Sequence, residues 1–162
     1  MNTLSDHIKT VALAEVGVRE EGTNVGRRVN EYKACCKGLN PKIPWYWCAA
    51  FCCWVVKEAM ARDGRKFTFK PPTTAAAYGF DEWSLAQDNS TKTHRRHPGS
   101  PVGIFSLKSV SHCGIAIGVP DSAGWFETVE GNTNGKGSRN GDGVYRKRRH
   151  VSDVRDFIAF TV

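Results

Sequence analysis

Three kinds of side chain that can build a nucleophilic site occur along this 162-residue chain. Cys48 follows a loop broken by Pro41 and Pro44 and opens an apolar stretch that reads as a helix. A helix N-terminus carries partial positive charge and unpaired N–H groups. The first favours a thiolate and the second can hold an oxyanion. A thiolate placed there is prepared for acyl transfer, although a cysteine in such a position also packs as an ordinary core residue. A nucleophilic thiol needs a base. His112 opens an apolar strand between Ser111 and Cys113 and is the best candidate, whereas His94, His97 and His150 sit in basic, polar surroundings and His7 lies on the first helix. The base in turn needs a group that holds its tautomer and stabilises the imidazolium. Glu127, Glu130, Asn132 and Asn134 lie on or just after the next strand, where Glu130 and Asn132 face the same way if the strand continues, and Glu127 faces away from Glu130.

The elements that must position these groups follow from periodicity. Leu4, Ile8, Val11 and Ala12 mark a first helix capped by Ser5 or Asp6. Asn24 begins a second, with Val25, Val29, Tyr32 and Cys36 on one face and Gly38 at its end. The third runs from about Trp47 to Arg62, stops at Gly64, and is apolar over most of its circumference, which makes it the central helix. Thr74 to Leu85 reads as a short helix and Gln87 to Ser100 as an exposed polar loop. Strands are expected at Val102–Leu107, His112–Val119, Trp125–Glu130, Val144–Val151 and Asp156–Val162, with a Gly- and Asn-rich loop from Asn132 to Gly143. Helices first and strands after predict an α+β domain with an antiparallel sheet, one domain over residues 1–162.

Composition narrows the function. Apolar residues are 40% and charged residues 24%, which excludes a disordered chain. No repeat argues for a solenoid, and the longest apolar run, Trp45 to Val56, is too short to span a bilayer, so no stable membrane insertion is expected. Met1 to Asp6 shows neither the basic nor the apolar region of a signal peptide. The net charge of +7 favours an anionic partner: nucleic acid, anionic lipid or anionic cell-wall polymer. The six cysteines, at 35, 36, 48, 52, 53 and 113, show no repeating spacing and no CxxC, against both a disulfide framework and structural zinc.

The segment Trp47-Cys48-Ala49-Ala50-Phe51, with Trp54-Val55-Val56 a turn later, resembles the nucleophile helix of CHAP-type peptidoglycan hydrolases. These are cysteine, histidine-dependent amidohydrolases/peptidases of phage endolysins and bacterial autolysins, related to the NlpC/P60 group. Ser111 to Gly118 resembles their histidine strand, Thr128 to Thr133 their Glu-x-Asn strand end, and Ala14 to Glu20 with Asn24 and Val29 the opening of single-domain phage members. The match runs over most of the chain in the order Cys, His, Glu-x-Asn, which is the papain-like arrangement.

The resemblance implies Cys48 as nucleophile, His112 as general base, and Glu130 and Asn132 as the groups that orient and polarise the histidine. It implies an endolysin-like enzyme that cleaves an amide bond of bacterial peptidoglycan as a monomer, with no cofactor. The enzyme would have no separate wall-binding domain and would wait in the host cytoplasm until it is released to the wall. Trp45, Tyr46 and Trp47 would line the substrate groove, or serve as core. The loop that binds calcium in some members carries no acid here (Asn40 to Trp47), so no metal is expected. Two other readings stay open: a secreted antibacterial effector or protein-directed cysteine protease with the same residues, and a nucleic-acid-binding module built on the basic run Arg146 to His150. Against the latter, no helix-turn-helix or RRM signature is present, so no nucleic-acid partner is expected.

Overall fold

The computed structural model describes residues 3–87, 90–135 and 141–162. Four helices come first: α1 (Leu4–Ala14), α2 (Arg27–Lys33), α3 (Cys48–Asp63) and α4 (Phe80–Leu85). Leu4, Ile8, Val11 and Ala12 form the buried stripe of α1, which packs on α3. The cap of α1 is Thr3 rather than Ser5 or Asp6. Asp6 sits at the third helical position and returns the bond, accepting from the Thr3 N–H at 2.8 Å while its own N–H donates to Thr3 Oγ1 at 3.2 Å.

Two helices are shorter than their sequence patterns suggest. Asn24 adopts a left-handed φ of 55°, so α2 starts only after Gly26. Residues 74–79 stay non-helical. The Thr74 hydroxyl accepts from the Ala76 N–H at 3.1 Å, a local bond that competes with helical pairing. Cys48 through Val56 of α3 are all buried, as its uniform apolarity demands, and Gly64 closes the helix in a left-handed conformation.

The second half forms a six-stranded antiparallel sheet in the order β1-β6-β2-β3-β4-β5. Its strands are β1 (Thr91–His94), β2 (Gly103–Leu107), β3 (Cys113–Ala116), β4 (Trp125–Thr133), β5 (Gly143–His150) and β6 (Val154–Phe160). The α+β expectation therefore holds, with α3, the helix that starts at Cys48, seated on the sheet against β3 and β4. The strand β1 lies inside the stretch read as loop. It is a polar edge strand held by main-chain pairing to β6 and lacks the apolar alternation that marks half-buried strands. The outer face of the sheet carries its own apolar cluster, Phe105, Leu107, Ala116, Phe126, Val154, Phe157 and Ala159. His97 inserts there rather than facing water, its ring 4.5 Å from that of Phe126 and 4.3 Å from that of Phe157, and burial lowers its pKa to about 4.

The approach of α3 to β4 is what places the helix start beside the histidine strand. Gly131 permits it: a Cβ there would lie 2.8 Å from side-chain atoms of both Phe51 and Trp47. Gly131→Ala is expected to cost about 1–3 kcal/mol through overpacking. Urea denaturation would show it as a lower midpoint at unchanged slope; a midpoint equal to that of wild type would mean that helix and strand do not meet this closely.

Candidate active site

The N-terminus of α3 is held by a polar clasp. Asn132 Oδ1 accepts from the Trp47 N–H at 3.0 Å, and Asn132 Nδ2 donates to Asn24 Oδ1 at 3.0 Å and to the Gly141 carbonyl at 3.2 Å. The Trp47 indole N–H donates to Glu20 Oε1 at 2.7 Å, and Glu20 Oε2 accepts from the Asn24 N–H at 2.9 Å. Lys33, fully buried, donates from Nζ to the carbonyls of Asn24 at 2.7 Å and Ile43 at 2.8 Å, tying the turn at 22–25 to the loop that precedes Cys48. Burial pulls the pKa of this ammonium down, and the Glu20 charge pulls it back up.

This geometry changes the part played by two residues. Asn132 does not share a face with Glu130. The β4–β5 register breaks between Glu130 and Thr133, Asn132 takes a φ of 55°, and its amide turns to the helix instead of to His112. It fixes the start of α3 rather than His112. Trp47 is fully buried and stacked on Tyr32 with ring centroids 5.6 Å apart, so it is a packing residue and not a groove wall. Tyr46 is 49% exposed. Trp45 is half-buried, with its indole N–H on the Asn40 carbonyl at 3.0 Å and its ring 5.5 Å from Lys33 Nζ.

Cys48, His112 and Glu130 come together. His112 sits just before β3 in a loop whose main chain is closed by Leu107 N–H to His112 O at 3.0 Å and His112 N–H to Val110 O at 2.8 Å. The Tyr78 hydroxyl lies 2.8 Å from Val110 O and 3.1 Å from Leu107 O, bracing that loop. His112 Nε2 is 2.9 Å from Glu130 Oε2, with both side chains essentially inaccessible. Its other nitrogen, Nδ1, is buried and makes no hydrogen bond, which leaves it for Cys48. With Nε2–H given to the carboxylate, Nδ1 presents its lone pair, the tautomer a general base requires.

Glu130 is anchored from the far side by residues that motif reading passed over. Arg149 donates from Nε to Oε1 at 2.8 Å and from Nη2 to Oε2 at 2.6 Å, and Thr128 Oγ1 donates to Oε1 at 2.7 Å. Together with His112 these fill the roughly four acceptor positions of a carboxylate. Arg149 was visible only as one member of a basic run. Its neighbours Arg146 and Arg148 point outward and pair with Glu127 and Asp121, so these two members of the run form a solvated face with their charges matched. Gly114 leaves room for the carboxylate: a Cβ there would come within 2.7 Å of Glu130 Cγ and 3.0 Å of the Phe105 ring.

The charges follow from these contacts. Burial alone would raise the Glu130 pKa, but the Arg149 and His112 hydrogen bonds outweigh it and hold the carboxyl at about 2. Burial alone would lower the His112 pKa, but Cys48 and Glu130 outweigh it and lift the imidazole to about 9. The Cys48 thiol is pushed up by its contact with Cys113 and by burial, and pulled down by His112. Cys52, one turn along α3, and Cys113 are fully buried beside it.

Helices come before, an antiparallel sheet after, and the helix that starts at Cys48 is seated against the strand that follows His112: an α+β fold shared with several solved structures, one of them an endolysin. Among solved structures the chain superposes on Ly7917 with a TM-score of 0.58 at 16% identity, over 98% of this chain and 63% of that one. It superposes on Ly7917 with the hydrolyzing product of MDP with a TM-score of 0.56 at 16% identity, covering 98% and 63%. The wild type endolysin LysIME-EF1 gives a TM-score of 0.53 at 18% identity, covering 98% and 64%. The chain thus spans a little under two thirds of each neighbour. No family profile and no curated protein matches the sequence.

The paired shifts predict a bounded stability range. Glu130, near 2 when folded against 4.5 when free, contributes stability that is present above pH 4.5 and lost as pH falls toward 2. His112, near 9 against 6.5, contributes stability that is complete below pH 6.5 and lost as pH rises toward 9. Denaturant unfolding across this range should show a plateau between the two limbs, with both limbs shallower in Glu130→Gln. Stability that climbs from pH 6.5 to 9 would contradict this charge assignment.

Proposed function

We propose that the chain is a CHAP-type peptidoglycan hydrolase, endolysin-like, that cuts an amide bond through a Cys48 thioester. The observation that carries this reading is the buried line Cys48–His112–Glu130 at the start of α3, in a fold that phage endolysins also use. One structural neighbour holds the hydrolyzing product of MDP, which supports a cell-wall substrate.

His112 Nδ1 takes the Cys48 proton while Glu130 stabilises the imidazolium through Nε2. The thiolate attacks the amide carbonyl, and the Cys48 N–H, unpaired within the helix, faces the developing oxyanion. The imidazolium then protonates the leaving amine, and water, deprotonated by the same imidazole, clears the thioester. Exposed Tyr46 and half-buried Trp45, just before Cys48 in the chain, are offered as the surfaces for glycan or stem peptide. Asn132 acts on the nucleophile's helix through Trp47. The basic surface favours approach to an anionic wall, an attraction that salt weakens. The paired state of Arg146 and Arg148 argues against a nucleic-acid surface on β5.

Purified sacculi of several wall chemistries, digested by wild type and by Cys48→Ala, test the reading, with the released fragments read by mass spectrometry. Wild type should release fragments whose new termini name the bond. Cys48→Ala and His112→Ala should each lose at least about a thousandfold in rate. Because the active pair carries one proton fewer than thiol plus imidazolium, the wild-type rate should rise from neutral pH toward about 9. No digestion by folded wild type, or undiminished digestion by Cys48→Ala, would overturn the assignment. Cleavage of proteins but not sacculi would redirect it to a protein-directed protease.

A further inference from the structure

Arg149 occupies a position that no motif assigns. Its guanidinium donates to both oxygens of Glu130 at 2.8 and 2.6 Å, and shares Oε2 with His112 Nε2. Glu130 is fully buried, whereas the Arg149 side chain is 18% exposed, so the arginine closes the carboxylate off from solvent. A buried carboxylate between two cations is a chain of alternating charge, and its ends interact through the middle. A bidentate fork also removes the rotational freedom that a single hydrogen bond leaves.

We propose that Arg149 is a positioning residue for the reaction: its fork fixes Glu130 against His112 Nε2, and its charge weakens the stabilisation that Glu130 gives the imidazolium, so that His112 can release its Nδ1 proton to the leaving amine. With Glu130 alone, a buried carboxylate would trap the imidazolium as a tight ion pair. With Arg149 present, part of that negative charge is already answered.

The other groups near His112 do not supply this effect. From α3 the Cys48 thiol faces Nδ1, with Cys52 a turn behind, and Cys113 follows His112 on β3. From β4 come Glu130 and the uncharged Thr128 hydroxyl. From β5, Lys147 adds a more distant positive charge to Glu130, but its Nζ donates to the Asn134 carbonyl at 2.7 Å, and Asp153 acts on Arg149 from its outer side. Arg149 is the cation in direct contact with the carboxylate that orients the base.

The proposal rests on the hydrolase reading for the leaving amine but not for the proton affinity of His112, and the experiment separates the two. Arg149→Gln removes the charge and keeps a hydrogen-bonding side chain; Arg149→Lys keeps the charge and loses the fork. The His112 imidazole is titrated by NMR in each, its signal assigned by its absence in His112→Asn, and kcat/KM is measured on sacculi. In Arg149→Gln the His112 midpoint should rise by about one pH unit, as expected when a nearby like charge is removed, and the acidic limb of kcat/KM should move with it. In Arg149→Lys the midpoint should stay near that of wild type while kcat/KM falls several-fold from the lost fork. An unmoved or lowered midpoint in folded Arg149→Gln overturns the proposal. If Arg149→Gln does not fold, Arg149→Lys decides: a retained midpoint with a reduced rate supports the proposal, and a midpoint that moves upward overturns it. A wild type that digests no sacculi sinks the hydrolase reading and leaves the titration to judge Arg149.

Discussion

A single buried carboxylate organises the site. Glu130 has no exposed surface, so its charge survives only because His112, Arg149 and Thr128 surround it. That requirement reaches through the sheet. The chain must bring β3, β4 and β5 side by side so that the histidine just before the first and an arginine from the third meet a glutamate on the second. It must also put a glycine at 114, where any side chain would displace the carboxylate. Breaking one partner would leave an uncompensated buried charge, which costs several kcal/mol in typical proteins. Folding and the proposed catalytic line therefore depend on the same contacts.

The second constraint is the placement of the helix that carries Cys48. Its N-terminus has no side-chain cap of its own. The clasp of Glu20, Asn24, Lys33 and Asn132 replaces that cap and draws residues far apart in sequence onto one peptide group and one indole. The fully buried ammonium of Lys33 bridges two carbonyls that would otherwise have to be satisfied elsewhere. The loop before Cys48 is thus fixed by fold-wide polar contacts, while the Tyr46 side chain is about half exposed.

Much of this was legible in the sequence. The uniform apolarity from Cys48 to Val56 marked a helix buried on all sides, and the α1 stripe marked the face that covers it. Cys48 and His112 could be singled out because a thiol at a helix start meets partial positive charge and unpaired N–H groups, and a histidine opening an apolar strand can serve as its base. What escaped depends on tertiary contacts. A polar edge strand such as Thr91–His94 carries no periodic signal. The bulge at Asn132 breaks the alternation that would have aimed its amide at His112, and only the folded backbone reveals the turn. Arg149 alternates with outward-facing Arg146 and Arg148, and nothing in a basic run says which member turns inward. Trp47 could be read as a groove aromatic beside Tyr46 or as core, and what decides for core is an indole N–H that finds its acceptor in Glu20, more than twenty residues upstream.

The central claim is that Cys48, activated by His112 and Glu130, forms a covalent acyl intermediate. The most direct test is intact-mass spectrometry of wild type mixed with soluble peptidoglycan fragments and quenched in acid within the first turnovers, followed by peptide mapping. The account predicts a species heavier by the acyl part of the substrate, with the added mass on Cys48 alone among the six cysteines and absent from Cys48→Ala. Product release with no acylated cysteine at any quench time, or an adduct on a different cysteine, would contradict it.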